Sequence, residues 1–156
     1  MRKAQEYIDL VKNTLDQLDQ TAIAQMAEAF YTTYQAGGQI YTMGNGGSGA
    51  SASHAAGDFL KGASYGLKKR FRMLCLNDNL PALMAIANDI GYEDIFVEQL
   101  KNFIQKKDLV IGISGSGNSE NVVRAIQLAN DQGVTSIALT GFNGGKIASL
   151  ATISVK

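Results

Sequence analysis

The apolar residues at the start of the chain recur every three or four positions. One such run lies within residues 7–18 and a second within residues 23–31. This spacing is typical of amphipathic helices, so the sequence predicts two of them. Asp19 or Thr21 is placed to cap the second helix, and Gly37 to end it. Apolar residues lie on more than one side of these helices, and we therefore expect another subunit to bury part of their surface.

Beyond residue 38 the pattern changes to short apolar runs that alternate with helical ones. Strands separated by helices of this length pair in parallel through right-handed crossovers. The sequence thus predicts an α/β fold, a three-layer doubly wound parallel sheet with N-terminal helices. The predicted strands are 40–43, 71–76, 109–113, 135–139 and 151–155, and the predicted helices are 50–61, 80–87, 92–105, 118–132 and 144–150.

We interpret these elements as a single domain over residues 1–156, with the helices at 1–36 and the sheet core at 37–156. The length suits one domain with a sizeable core. No helix follows the last predicted strand, which would leave a sheet edge bare. We therefore expect a C-terminal helix to be missing from this sequence or supplied from elsewhere.

Two loops rich in glycine and serine each lie between a predicted strand and the helix after it. Glycines let a ligand approach the backbone closely, and a helix N-terminus offers free N–H groups to an anion. Ligands of parallel sheets bind beyond the carboxyl ends of the strands, at a topological switch point. The sequence therefore predicts a phosphate site at these loops, Gly44-Asn45-Gly46-Gly47-Ser48-Gly49 and Ser114-Gly115-Ser116-Gly117-Asn118-Ser119.

The first loop also matches the dinucleotide pattern G-x-G-x-x-G, through Gly44, Gly46 and Gly49. A dinucleotide site needs an acidic residue after the second strand, and Asp78 stands there. Such a site has no need of the second loop, however, so we prefer the phosphate site.

The serines of the second loop have a simpler interpretation as well, with Ser119 only an N-cap and Ser116 only a turn former. That interpretation explains one serine well, but not three around a glycine turn. For the third glycine turn, at 141–145, the simpler interpretation is preferred, because Asn143 can cap the helix and no hydroxyl cluster accompanies it.

Together the two loops resemble those of the sugar isomerase (SIS) domain family. Within that family, the Asn-Gly-Gly-Ser segment at 45–48 followed by His54 is similar to the phosphoheptose isomerases. The similarity runs from about residue 5 to the end, and includes Asn88-Asp89 and Thr140-Gly141. The resemblance implies a flavodoxin-like SIS fold, and a homotetramer whose sites lie at subunit contacts.

The resemblance also implies a substrate site for a sugar phosphate. The phosphate would be held by four serines, Ser48, Ser114, Ser116 and Ser119. Sugar hydroxyls would be contacted by Asn45 and Asp89. The substrate would also be lined by Gly46, Gly47, Gly115 and Asn118.

A possible metal site lies one helical turn beyond the first loop. His54 is the only histidine, and Asp58 follows it at the i+4 position, on the same helix face. By the resemblance His54 is a zinc ligand, and Asp58 replaces a glutamate that is both zinc ligand and catalytic base. The family's other ligands, a glutamine and a second histidine, lie beyond the end of this sequence. We therefore expect zinc, with an incomplete set of ligands in this chain.

The function that the resemblance implies is aldose–ketose isomerisation through an enediol(ate). The reaction would convert sedoheptulose 7-phosphate to D-glycero-D-manno-heptose 7-phosphate, in heptose biosynthesis for lipopolysaccharide. One alternative is a non-catalytic SIS module that senses sugar phosphates or binds a protein partner, as in replication initiation. A second is an SIS isomerase or lyase that acts on amino-sugar phosphates.

The composition limits the classes of binding partner and the cellular compartment that we expect. Lys plus Arg equals Asp plus Glu at 14 each, so the chain has no basic surplus for nucleic acid or a membrane surface. Cys75 is the only cysteine, so an intrachain disulfide is excluded. No apolar run approaches the ~18–20 residues of a membrane span. We therefore expect a cytoplasmic protein.

Overall fold

The sheet has five parallel strands in the order β2-β1-β3-β4-β5. The computed structural model describes residues 3–156. Gly44 at the end of β1 pairs with Ile113 of β3, and Ser114 at the end of β3 pairs with Thr140 of β4. The chain leaves β1 in one direction and later strands add in the other, so the strand order reverses between β1 and β3. The strands are β1 Ile40–Gly44, β2 Met73–Cys75, β3 Leu109–Ser114, β4 Thr135–Thr140 and β5 Ile153–Val155.

Helices cover both faces of this sheet, which confirms the predicted three layers. On one face, α5 and α6 pack through their own residues Leu100 and Val122, together with Phe96 at the N-cap of α5, all fully buried. Ile111 and Ile137 point to the opposite face, which α2 and α3 cover. The helices are α1 Ala4–Asp16, α2 Gln20–Ala36, α3 Gly46–Gly57, α4 Leu80–Asp89, α5 Val97–Lys101, α6 Glu120–Asp131 and α7 Gly145–Leu150.

The predicted ends of α2 are confirmed. Asp19 caps the helix, because its carboxylate accepts hydrogen bonds from the amides of Thr21 and Ala22 at 2.8 and 3.2 Å. Gly37 ends it in the left-handed region with φ +67°.

The single helix predicted over 92–105 is wrong. The structure has one 3₁₀ turn at Tyr92–Asp94 and then the short α5. Asp94 is held by Arg124 of α6 at 2.8 and 2.9 Å, and the next two residues, Ile95 and Phe96, are fully buried. These tertiary contacts break the helix that the local pattern favours.

Helix α3 also differs from its prediction, since it begins at Gly46 rather than near residue 50. The glycines of the first loop therefore form the first turn of the helix. At its other end the helix continues into a π-helical turn, Asp58–Gly62.

Helix α1 buries none of its side chains. Its exposed apolar residues are Tyr7, Ile8, Leu10, Val11 and Leu15. The apolar surface predicted for the N-terminal helices is therefore present, and its burial by another subunit stays a prediction.

In the described part of the chain, no helix is long and apolar enough to cross a membrane.

We expect Cys75 to resist thiol reagents in the folded protein. Its side chain is 3% exposed in β2, and burial raises the pKa of the thiol. The reactive thiolate is therefore both scarce and shielded at neutral pH. Reaction with Ellman's reagent should be slower in the native protein than in denaturant by about a hundredfold or more, because the reagent reaches the thiol only in the small fraction of molecules that are unfolded at this strand. Rapid labelling of the native protein would contradict the placement of β2.

Candidate functional site

The two glycine- and serine-rich loops lie side by side at one edge of the sheet. The first follows β1 and the second follows β3, the two strands between which the strand order reverses. Ligands of open α/β sheets bind at such switch points. The predicted placement of both loops at the switch point is therefore confirmed, and phosphate binding there stays a prediction.

In the first loop, the N-terminus of α3 carries no side-chain cap. Asn45 occupies the N-cap position, but its side chain makes no capping hydrogen bond. Its amide instead exchanges hydrogen bonds with Asn121 at 2.9 Å in both directions. The amides of Gly46 and Gly47, at the helix start, lack an intrahelical acceptor. They are free to bind an anion.

In the second loop, hydrogen bonds within the loop hold the serine hydroxyls in place. The Ser114 hydroxyl accepts a hydrogen bond from the amide of Gly117 at 3.1 Å and lies 3.2 Å from the Ser119 hydroxyl. The Ser116 hydroxyl accepts one from the amide of Asn118 at 3.2 Å, as a turn former does. Gly117 adopts φ +67°, which favours glycine. The loop therefore presents three hydroxyls on a fixed turn.

Ser119 occupies the N-cap position of α6, yet its side chain does not cap that helix. The interpretation of Ser119 as only a cap thus loses its physical basis. By contrast, α2 and α4 are capped by the side chains of Asp19 and Asn79. The N-cap residues of α5 and α7 also make no side-chain capping bond, but α3 and α6 are the helices that follow β1 and β3, the strands on either side of the switch point.

The third glycine turn braces the second loop from outside. Its Gly141 amide donates to the carbonyl of Gly115 at 3.0 Å. The Lys146 amide donates to the side-chain oxygen of Asn118 at 3.1 Å, and the Asn118 side-chain nitrogen donates to the Ser116 carbonyl at 2.9 Å. The Asn118 amide is thus engaged within the loop region, and its role toward substrate stays a prediction. Gly144 occupies the N-cap position of α7, and the predicted capping residue Asn143 accepts a hydrogen bond from the amide of Gly145, the first residue of that helix, at 3.3 Å.

A cavity of about 320 Å³ opens between the loops, lined by Ser48, Gly115, Thr140 and Gly141 among others. Thr140 was not among the predicted site residues. Its hydroxyl is buried and has no hydrogen-bond partner among residues 3–156, and such groups are rare in native proteins. Its place at the end of β4, paired with Ser114, is the sequence signal by which it could have been chosen as a candidate.

His54 and Asp58 come together as predicted, with 3.4 Å between Nε2 and Oδ2. Their side chains are 82% and 68% exposed, because Ala52 and Ala56 occupy the face of α3 that packs on the sheet. No group of three or more His, Cys, Asp or Glu side chains within the described residues could hold a metal ion. The chain thus brings together two donors, turned toward solvent.

Asp89 is the last residue of α4 and is exposed. Its carboxylate accepts a hydrogen bond from Asn88 at 2.7 Å. Three residues later, the Tyr92 hydroxyl donates to Asn45 at 3.0 Å. The Asp89 segment therefore approaches the first loop, while its predicted contact with sugar stays a prediction.

Comparison with known proteins agrees with this arrangement. A family model for the SIS domain matches residues 6–141. The chain belongs to the SIS domain family. Its fold and its family are therefore those that the resemblance predicted.

The relatives of this SIS domain include phosphoheptose isomerases. That of Aneurinibacillus thermoaerophilus is 40% identical over 134 residues, 86% of this chain and 67% of the relative. That of Thermodesulfovibrio yellowstonii is 40% identical over 152 residues, 96% of this chain and 74% of the relative. The solved phosphoheptose isomerase of Neisseria gonorrhoeae superposes with a TM-score of 0.84 at 31% identity, over 97% of this chain and 84% of that one.

Family membership removes the dinucleotide interpretation of the SIS domain's first loop. Asp78, the acidic residue offered for a dinucleotide, accepts a hydrogen bond from Ser53 at 2.7 Å. The comparisons also give no support to a non-catalytic module.

We expect Ser119→Ala to weaken phosphate binding with little loss of stability. The hydroxyl caps no helix, whereas a hydrogen bond to a charged group contributes about 1.5–3 kcal/mol. The Kd for inorganic phosphate, measured by calorimetry, should rise about tenfold or more. The free energy of unfolding should change by less than about 0.5 kcal/mol.

Asp19→Ala is the matched control, since Asp19 is a true cap away from the loops. It should cost about 1 kcal/mol of stability and leave phosphate binding unchanged. If Ser119→Ala behaves like Asp19→Ala, the serine is a cap and not a phosphate ligand.

Proposed function

We propose that this SIS domain is an aldose–ketose isomerase that interconverts sedoheptulose 7-phosphate and D-glycero-D-manno-heptose 7-phosphate. The observation that carries the proposal is that α3 and α6 both begin at the switch point, after the adjacent strands β1 and β3, and that neither N-cap side chain makes a capping hydrogen bond. Its phosphoheptose isomerase relatives supply the reaction class. The proposal also places the enzyme in the cytoplasm, where its heptose phosphate product would enter heptose biosynthesis.

The phosphate end of the substrate binds at the serines. The hydroxyls of Ser48, Ser114, Ser116 and Ser119 donate to its oxygens, and the positive ends of the two helix dipoles favour its charge. The Ser114–Ser119 contact of 3.2 Å holds two of these hydroxyls at a spacing that suits one phosphate. Most of the binding energy is thus placed away from the reacting carbons, where it holds the substrate in register.

At the other end, Asn45 and Asp89 bind sugar hydroxyls and Asp58 acts as the base. The Asp58 carboxylate removes the proton from the carbon next to the ketose carbonyl, which forms an enediolate. Returning the proton to the former carbonyl carbon gives the aldose, provided that the hydroxyl on the first carbon gives up its proton and the former carbonyl oxygen gains one. The base must reach both carbons in turn, so an error of about 1 Å in its position costs about a hundredfold in rate.

His54 and Asp58 fit zinc as half of a ligand set. Bonds of about 2.0–2.2 Å at tetrahedral angles place two donor atoms about 3.3–3.5 Å apart, and these lie 3.4 Å apart. When bound, zinc would polarise the substrate carbonyl. The remaining ligands come from outside the described residues.

We further propose that the enzyme works as a homotetramer. The proton-transfer residues His54 and Asp58 face solvent in one copy, while isomerisation requires a site that excludes water. Helix α1 offers an apolar face with no buried side chain. A second copy that covers both features would complete the site.

The first test follows sedoheptulose 7-phosphate by NMR as it is converted to aldose phosphate. We expect zinc-dependent conversion by the unaltered chain, and Asp58→Asn should slow it about a thousandfold, as loss of a general base does. Phosphate affinity should change less than twofold, because Asp58 lies outside the serine loop.

Asp131→Asn is the control for the loss of one exposed carboxylate, and should retain full activity. Full activity in Asp58→Asn would overturn the assignment of the base. Binding without conversion by the unaltered chain would overturn the proposed function.

The second test measures zinc content and molar mass on the same sample. We expect stoichiometric zinc in a particle of four chains. His54→Ala should lose the zinc, because one of two visible ligands is gone, and should keep the mass. Metal analysis and light scattering provide the two measurements, and a zinc-loaded monomer would contradict the shared site.

A further inference from the structure

The amide of Asn45 is held by two residues outside the proposed set of substrate contacts. Asn121 and Asn45 form a reciprocal pair, in which each side-chain nitrogen donates to the other's oxygen at 2.9 Å. The Tyr92 hydroxyl donates to the same Asn45 oxygen at 3.0 Å. That oxygen therefore accepts two hydrogen bonds, both from outside its own loop.

This arrangement draws Asn45 away from the bond that its position favours. Asparagine is a preferred N-cap, whose oxygen accepts from the second or third amide of the helix. In α3 those are the amides of Gly47 and Ser48. Asn79 makes such a bond at the start of α4, to the amide of Ala82 at 3.3 Å, whereas Asn45 makes none. A released Asn45 oxygen would compete with a ligand for the N-terminus of α3.

The two holding residues are themselves fixed to α6. Asn121 is 2% exposed, and its oxygen also accepts from the amide of Val122 at 2.9 Å. Tyr92 opens the 3₁₀ turn that Arg124 of α6 holds through both oxygens of Asp94. The first loop is therefore oriented by the helix that follows the second loop.

We propose that Asn121 and Tyr92 are positioning residues, which hold the Asn45 side chain off the N-terminus of α3 and direct its remaining N–H toward the sugar. Asn45 has two N–H groups and uses one on Asn121, so one is left for a substrate hydroxyl. The proposal rests on the proposed function for the identity of the ligand. It makes the two loops one unit, since neither end of the substrate is bound independently of α6.

A double-mutant cycle measured by calorimetry tests the proposal. Tyr92→Phe removes one hydroxyl and should raise the Kd for sedoheptulose 7-phosphate about three- to tenfold, as loss of one hydrogen bond does. In an Asn45→Ala background the same change should have no effect, because the side chain that Tyr92 positions is gone. Asn121→Ala should follow the same pattern with a larger factor.

Tyr65→Phe is the matched control, since its hydroxyl is on a side chain 81% exposed; it should change nothing in either background. An equal loss from Tyr92→Phe with and without Asn45 would overturn the proposal, because Tyr92 would then act directly or through general stability. If Asn121→Ala fails to fold, the Tyr92 cycle still decides.

A ligand-free measurement separates this proposal from the proposed function. In Tyr92→Phe the amide resonances of Gly47 and Ser48 should shift as the Asn45 oxygen approaches them, and in Tyr65→Phe they should stay in place. If sedoheptulose 7-phosphate does not bind, the proposed function fails and these shifts alone test the positioning. Unmoved resonances in Tyr92→Phe would overturn it.

Discussion

Two helices begin at adjacent strand ends with N-cap side chains that make no capping hydrogen bond, and the rest of the proposed site depends on this constraint. The N-cap residues of α3 and α6 are Asn45 and Ser119, both types that normally cap, and neither does. A missing cap costs about 1 kcal/mol. The sheet brings both helix ends to the point where the strand order reverses, so an anion bound there, as proposed, would supply the acceptors that these two N-cap side chains do not.

Free amides are useful only if the backbone that carries them stays fixed. Asn77 holds the first loop, since its side chain donates to the carbonyl of Gly44 at 2.8 Å and accepts from its amide at 3.2 Å. A side chain at Gly44 would come within 2.7 Å of the Ser48 backbone, so glycine is required for this close turn. The third glycine turn has the same effect on the second loop, through Gly115 and Asn118. These contacts of the third turn are structural, which agrees with the simpler interpretation preferred from the sequence.

Local sequence pattern predicted what depends on local chemistry. The alternation of strands and helices predicted the parallel sheet and the switch point. Asp19 begins α2 and Gly37 ends it by rules that involve only their sequence neighbours. The break in the 92–105 segment was not predictable in this way, because it depends on an ion pair between Asp94 and Arg124. The orientation of Asn45 depends on Asn121, 76 residues away. The family resemblance predicted that Asn45 contacts the sugar, but the sequence could not determine which of its two possible hydrogen-bonding roles it takes.

The two halves of the proposed chemistry are unequally built within one copy of the chain. The phosphate half is self-contained, since its hydroxyls and free amides are fixed by bonds among residues of the two loops and the third turn. The proton-transfer half is not, because a carboxylate 68% exposed keeps its water, and abstraction of a proton from carbon proceeds best where water is excluded. Under the proposed function, a second copy that covers the outer face of α3 would exclude this water and could add ligands beside His54. One copy would then suffice to bind phosphate, whereas turnover would require the covered α3, so the proposal makes isomerisation more sensitive than phosphate binding to loss of that cover.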